Sequence, residues 1–157
     1  MPAYYFFSKS PIPQHIDQSI TKVVAELKKN TTPESYLKGA YDYITTHYES
    51  GRLNTFLRLF DLYAPGLTNL WRRKGFMHCT NQNFLLAVLL VRSGFFTDSD
   101  IKLKWTLISY YSPHEYLKVK VGNHWVEVDC WARQYGVGFG KHAYGFNTTT
   151  HKSLAPL

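Results

Sequence analysis

The stretch His114-Glu115-Tyr116-Leu117-Lys118-Val119-Lys120-Val121-Gly122-Asn123-His124-Trp125-Val126-Glu127-Val128-Asp129-Cys130-Trp131 decides the fold class. Two segments of β-branched and aromatic residues flank Gly122-Asn123, a dipeptide suited to a two-residue hairpin turn. With that turn, residues pair when their numbers sum to 245. Lys118 then faces Glu127, while Leu117 faces Val128 and Val119 faces Val126 on the other side of the hairpin. Such cross-strand matches each contribute ~0.2–1 kcal/mol. The register sets His114 opposite Trp131 and diagonal to Asp129, at a backbone separation of ~7–8 Å that an imidazole and a carboxylate can span. His124 falls on the opposite face, and a slip of one residue would exchange the two histidines. The face with His114 and Asp129 also carries Lys118, Lys120 and Glu127, so a packed helix is expected to cover only its His114–Trp131 end.

Working back from the hairpin, Ile101, Leu103, Trp105, Leu107 and Ser109 alternate with Lys102, Lys104, Thr106 and Ile108, the period of a further strand. Before it lies His78-Cys79-Thr80-Asn81-Gln82-Asn83-Phe84-Leu85-Leu86-Ala87-Val88-Leu89-Leu90. Its second half is apolar on every side, as in a central buried helix that starts near Cys79 and stops at Gly94. Upstream the period is helical. Ile16, Ile20, Val23, Val24 and Leu27 form one stripe. Thr32-Pro33-Glu34 announces a second helix, with a capping hydroxyl, a proline in the first turn and an acid near the positive end. Leu37, Ala40, Tyr41, Ile44 and Tyr48 are its buried side, ending at Gly51. A third helix is expected to carry Leu53, Phe56, Leu57, Phe60 and Tyr63 as far as Pro65-Gly66. The glycine-rich segment after Gln134 reads as loop with one short strand. Helices first and strands second describe an α+β domain, a helical N-terminal half packed on an antiparallel sheet.

The whole chain of 157 residues is the size of one domain. We divide it into a helical part (1–74), a core (75–146) and a tail (147–157). At 45% hydrophobic and 17% aromatic residues it has the apolar surface that disordered chains lack. No apolar run reaches the ~18–20 residues of a membrane span. The first residues, Met1-Pro2-Ala3-Tyr4-Tyr5-Phe6-Phe7, lack the basic start of a signal peptide, so a cytoplasmic location is expected. There both cysteines, Cys79 and Cys130, would stay reduced. The net charge of +7 favours acidic partners. The plain reading of that charge is solubility. Arg72-Arg73-Lys74 comes without a nucleic-acid motif, so no nucleic-acid partner is expected.

A thiolate nucleophile, an imidazole to manage its proton and a carboxylate to orient the imidazole are what acyl transfer needs. Cys79, His114 and Asp129 supply these groups in that order. A helix start and a nearby imidazolium both favour a thiolate. A buried cysteine is ordinarily a small core residue, and Cys130, inside a strand with no matched base, is read that way. His78, beside the nucleophile, is given a helix-start role. A zinc site from His78, Cys79, His114 and His124 lacks a local pair at zinc spacing, so no metal is expected. The backbone N–H of Cys79 is the natural first oxyanion donor, because the first amides of a helix lack internal partners. Gln82 or Asn81 are side-chain choices for a second.

From Gly75 to Trp131, about a third of the chain, the sequence resembles the catalytic core of the transglutaminase-like superfamily. Shared are a cysteine opening a buried helix, a histidine on a strand, and Trp125-Val126-Glu127-Val128-Asp129 on the next. The resemblance implies a papain-like arrangement, with the nucleophile's helix packed on an antiparallel sheet. It implies that Cys79 is the nucleophile, His114 the general base and acid, and Asp129 the orienting carboxylate. It also suggests Trp71 as a second oxyanion donor, since members often use an upstream indole, although the plainer reading of Trp71 is a packing residue. Trp125 and Trp131 either wall an acyl tunnel, with Gly136–Gly145 folding over it as a lid, or pack the sheet edge. The chain departs from the family in two places. Glu115 and Tyr116 follow the histidine where a small residue and an aromatic are usual, and Cys130 follows the aspartate where a proline is common. It lacks the flanking β-domains and calcium-loop pattern of animal tissue transglutaminases and looks like a compact microbial member. The superfamily holds crosslinkers, proteases, deamidases, peptide:N-glycanases and silent binding domains. The expected substrate is therefore a protein or peptide with a glutamine or other amide, the second substrate a primary amine or water, and no cofactor is required.

Overall fold

The computed structural model describes residues 9–29, 32–63, 66–108, 112–144 and 148–149. They form an α+β fold in which helices pack on one face of a three-stranded antiparallel sheet. Helix α1 (Gln18–Leu27) follows Asp17, whose carboxylate accepts from Ser19 N at 2.9 Å. Helix α2 (Pro33–His47) begins as its sequence demands: Thr32 Oγ1 accepts from Ser35 N at 3.1 Å and Pro33 opens the first turn. Tyr36, Leu37, Ala40, Tyr41 and Ile44 form its buried side. The helix ends at His47, and Tyr48 passes into β1 (Tyr48–Glu49), buried as expected but in extended backbone.

The expected third helix is a correction. It breaks after six residues into α3 (Arg52–Leu57) and a 3₁₀ segment, Leu59–Tyr63. The break falls at Arg58, whose carbonyl accepts from His78 Nε2 at 2.8 Å and whose guanidinium pairs with Asp61 at 2.7 Å. No continuous stripe survives, and Leu53, Phe56, Leu57, Leu59 and Phe60 face solvent, Phe60 with 85% of its surface. Helix α4 (Leu67–Arg72) and β2 (Gly75–Phe76) follow.

Strands β1 and β2 pair in parallel, and Met77 N extends the ladder to Glu49 O at 2.9 Å. This short ladder places the chain at the start of α5 (Cys79–Ser93), the central helix. Leu85 to Leu90 are all buried, and Tyr36 of α2 donates its hydroxyl to Leu89 O at 2.8 Å. Gly94 ends α5 with φ of 77°, a conformation that costs glycine nothing.

The sheet has the order β3 (Ile101–Ile108), β4 (Ser112–Val121), β5 (His124–Val128). The hairpin register is the expected one: Leu117 pairs with Val128, Lys118 with Glu127 and Val119 with Val126. Lys118 Nζ lies 3.0 Å from Glu127. Two expectations change, and one falls outside the described residues. The last strand ends at Val128, so Trp131 has no strand partner and starts a 3₁₀ segment, Trp131–Tyr135. Ser109 lies outside the described residues. Helix α5 does not cover the His114 end of the polar face. It packs on the other face, where Leu117, Val119, Val121 and Val128 join Leu85, Leu86 and Leu89 in the main core. The His114 face is closed by Trp131, Ala132, Val137 and Ala143, a second cluster against which Cys79 packs. The tail's short strand is β6 (Ala143–Tyr144), paired with β7 (Thr148–Thr149).

Candidate active site

Cys79 is the first residue of α5, and His78 before it is extended, with φ of −64° and ψ of 155°. No side chain among the described residues caps this helix start, where the first amides of a helix lack intrahelical partners. His78 is held away from the thiol by the Arg58 carbonyl and packs edge-on against Phe76. Burial pushes its imidazole below the ordinary histidine range. That fits the helix-start role and leaves the proton chemistry to another residue.

His114 meets Cys79 from β4. Its Nε2–H donates to Asp129 Oδ2 at 2.7 Å, and both residues are 1% exposed. With Nε2 committed to Asp129, Nδ1 is the ring nitrogen left for the pocket that Cys79 and His114 line together. Burial alone would depress the imidazole's proton affinity. The Asp129 carboxylate outweighs it, with the Cys79 sulfur acting in the same direction, and the ring is held well above the usual histidine range. A positive His114 is the counter-charge that a thiolate at Cys79 requires.

Asp129 is fixed from behind. It stands just past the end of β5, where the chain turns into the 3₁₀ segment. Ala132 N donates to Oδ1 at 3.1 Å and Ala143 N to Oδ2 at 3.0 Å. The glycine-rich segment thus clamps the carboxylate instead of forming a lid: Val137 and Ala143 are buried beneath it, and Tyr41 donates to Val137 O at 3.3 Å. Gly145 lies outside the described residues.

A narrow pocket opens at the thiol, lined by Cys79, His114, Trp131, Ile108, Ser112, Pro113, Arg52, Thr55 and Phe56. Trp131 is the one expected aromatic that reaches it. Its ring lies 5.2 Å from that of His114, and its buried Nε1 makes no hydrogen bond among the described residues. Trp71 stacks on Tyr43 at 5.5 Å and is not in the pocket lining. Trp125 lies on the sheet opposite Lys120, with Lys102 Nζ 4.3 Å over its ring. Gln82 turns inward, donating to Met77 O at 3.0 Å and Ser50 Oγ at 3.1 Å, and Asn81 donates to Asp61 O at 3.3 Å. Both brace the start of α5. His124 is exposed at the hairpin turn. Cys130 is buried in the main core, and burial raises its thiol well above the ordinary range. The two thiols thus differ: Cys79 is partly exposed beside a base, and Cys130 is sealed away.

Several contributors could not be read from the sequence. Arg52, Thr55 and Phe56, from the short α3, enter the pocket wall. The Ala132 and Ala143 amides follow from the turn after Val128. His142, 2.8 Å from Glu127 and stacked on Tyr116 at 4.0 Å, packs the far side of the Asp129 clamp. Glu115, noted in the sequence only as a departure after the histidine, is a buried acid whose carboxyl is pushed up to about 7 by burial. Its signal was its place where the resembling family has a small residue. Among the described residues no three histidine, cysteine or acidic side chains gather to hold a metal ion.

No protein-family model, curated protein or solved structure matches this chain.

Proposed function

We propose that this chain is a transglutaminase-like cysteine acyl-transfer enzyme acting on glutamine carboxamide or peptide amide groups. The observation that carries the reading is the line Cys79–His114–Asp129, with its buried 2.7 Å His114–Asp129 bond and its thiol facing a small pocket. Cys79, as a thiolate, adds to the carbonyl carbon. The oxygen takes the developing negative charge and is met by the backbone amide of Cys79. The indole N–H of Trp131, without a hydrogen bond among the described residues and on the same pocket wall, is the second donor in this reading. The C–N bond then breaks, and the leaving nitrogen takes the proton held at His114 Nδ1. A thioester remains on Cys79. An incoming amine or water gives its proton to His114, attacks the thioester, and releases the product with the thiol restored.

The rim of the pocket supports an apolar approach for the substrate. Phe56 belongs both to the pocket wall and to the exposed ledge of Leu53, Leu57, Leu59 and Phe60. Neither Trp71 nor Trp125 shields the thioester, so exclusion of water rests on Trp131, Ile108 and Phe56. The test is mass spectrometry of a glutamine-containing protein incubated with the chain, with and without a millimolar primary amine. An amine adduct on glutamine is the expected product. Glutamate or a cleaved peptide at every amine concentration reassigns the chain to the hydrolases that use the same triad. No modification with either supports a silent module.

A further inference from the structure

Strand β3 forms one edge of the sheet, and it presents a different chemistry on each face. Successive side chains on a strand point to opposite sides. Lys102, Lys104 and Thr106 share the face of their partners Lys118, Tyr116 and His114. Leu103, Trp105 and Leu107 take the face of Leu117, toward α5. The packing on that side stops part-way along. Ile101 is buried and Leu103 packs on the main core, yet Trp105 and Leu107 leave 62% and 42% of their surface open.

The lysine side is equally unfinished. Lys102 and Lys104 are exposed, and no carboxylate pairs with either among the described residues. Lys102 stands opposite Lys118, an arrangement that repels. Glu127, the acid of that face, is shared between Lys118 at 3.0 Å and His142 at 2.8 Å. The backbone edge is open as well. Half of an edge strand's N–H and C=O groups point away from the sheet. Lys9 Nζ bonds the Ile101 carbonyl at 2.9 Å. Past that residue, no backbone hydrogen bond among the described residues joins β3 to anything but β4.

We propose that the free edge of β3 docks an extended segment of a partner protein in which acidic and apolar residues alternate, adding it to the sheet as a further strand. The alternation follows from the period of two. Residues two apart on a strand repeat at ~6.4–6.8 Å. A paired segment therefore sets its acids beside Lys102 and Lys104, and its apolar residues beside Leu103, Trp105 and Leu107. A membrane or a nucleic acid meets the charge on one face and does not reach the apolar side chains on the other. A nucleic acid also favours arginine at its phosphates and open rings beneath its bases. Here the cations are lysines, and Lys102 Nζ lies 4.3 Å over the Trp125 ring. A second copy of this chain would bring Lys102 and Lys104 of both protomers to one seam with no acid to match. Strand β3 ends at Ile108, in the wall of the thiol pocket. A docked segment is thus led toward the site, whatever reaction the site performs.

The experiment is fluorescence anisotropy of a labelled octapeptide of alternating valine and glutamate, titrated with the full chain at low and moderate salt. A second peptide carries the same residues in two blocks, and a third has lysine in place of glutamate. The alternating peptide should bind at least about tenfold tighter than either, and more weakly as salt rises. In its presence the backbone amides of Ile101–Ile108 should exchange with deuterium more slowly. Lys102→Glu with Lys104→Glu should weaken binding by about tenfold or more. Lys22→Glu with Lys74→Glu, the same change of charge at exposed positions elsewhere, should weaken it by less than about threefold. Trp105→Ser with Leu107→Ser should weaken it at both salt concentrations. Four results overturn the docking edge: equal binding of the blocked peptide, equal loss from the two pairs of charge reversals, tighter binding of an oligothymidylate of equal charge, or protection of β3 by self-association without peptide. The comparison of peptides uses the unsubstituted chain, so a variant that fails to fold leaves the test intact. None of these readouts depends on turnover.

Discussion

Replacing Asp129 by asparagine tests the site at its most constrained point. The carboxylate takes three donors: His114 Nε2–H at 2.7 Å, Ala132 N–H at 3.1 Å and Ala143 N–H at 3.0 Å. An asparagine has one oxygen for these three. If it serves Ala132, its amide nitrogen faces both Ala143 and His114. If it serves those two, the nitrogen faces Ala132. Either orientation sets at least one buried donor against another, at about 1–3 kcal/mol, and loses a bond to a charged group of about 1.5–3 kcal/mol. The imidazole can relieve the first arrangement by moving its proton to Nδ1. That tautomer points N–H at Cys79 and cannot take the thiol's proton. In the serine-protease analogue the same change lowers turnover by about 10⁴, and we expect a loss of about 10³–10⁴ here.

The stability effect has a definite dependence on pH. The native imidazole of His114 is raised above its unfolded value. The stability it contributes is therefore fully present below the unfolded value of about 6.5 and is lost as pH rises through the raised native value. The destabilisation by Asp129→Asn should accordingly be larger near neutrality than in alkaline solution. Urea unfolding across that range reads the stability, and the rate of Cys79 alkylation by iodoacetamide reads the thiol. A variant with unchanged turnover, unchanged alkylation and a pH-independent loss of stability would show that Asp129 does not govern His114.

Cys79→Ala should abolish the thioester while melting close to the unsubstituted chain; Cys130→Ser should keep most turnover but lose about 1–3 kcal/mol, because a hydroxyl then replaces a thiol in the core. The same result with the two cysteines exchanged would reassign the nucleophile. His124→Ala, at the exposed hairpin turn, should cost less than tenfold in rate, and a loss matching that of His114→Ala would require a shifted register. The double change of Leu57 and Phe60 to serine should alter stability by no more than about 0.5 kcal/mol per site. If the ledge guides apolar substrates, it should slow alkylation of Cys79 by an N-hexyl iodoacetamide and leave the parent iodoacetamide unaffected, whereas equal effects on both reagents would remove the ledge from recognition. Leu89→Ala, at the centre of α5, should cost about 2–5 kcal/mol in urea unfolding, and a much smaller loss would contradict the close packing of that helix.

What was legible in the sequence depended on local pattern carrying its own long-range consequence. Thr32-Pro33 and Gly94 mark helix ends because capping and left-handed backbone are local chemistry. The Gly122-Asn123 turn fixes strand pairing for the whole hairpin, since a two-residue loop leaves one register. That register brought His114 and Asp129 to the same face although fifteen positions separate them. The third helix failed for the opposite reason. Leu53, Phe56, Leu57 and Phe60 have helical spacing, yet spacing says nothing of whether a partner surface exists. Here the helix breaks at Arg58, whose carbonyl bonds His78; Phe56 lines a pocket and the other three face solvent. Trp71 packs, as its plainer reading had it; the oxyanion role came from analogy of position alone, and the stacking on Tyr43 depends on how α4 lies against α2, which no local pattern encodes.

The arrangement around α5 explains why a compact chain of this kind puts so many polar groups in its interior. Thr80, Asn81, Gln82 and Asn83 follow Cys79 on a helix that is otherwise among the most apolar parts of the protein, and all four are buried. An all-apolar first turn would pack at less desolvation cost, but it would leave the start of the helix free to slide along the sheet. Gln82 bonds the chain that leads into the helix, Asn81 the 3₁₀ segment after the break, and Thr80 with Asn83 faces Glu115 on β4. Each contact fixes the Cys79 end of α5 from a different direction, while His114 is fixed through Asp129 by two backbone amides. Acyl transfer needs thiol and imidazole held at reacting distance before substrate arrives. The buried polar turn is therefore best understood as the support of the site. On that account, substitutions at Gln82 or Asn81 that preserve the fold should lower the rate of Cys79 alkylation more than they lower Tm, and a loss confined to Tm would return those residues to simple packing.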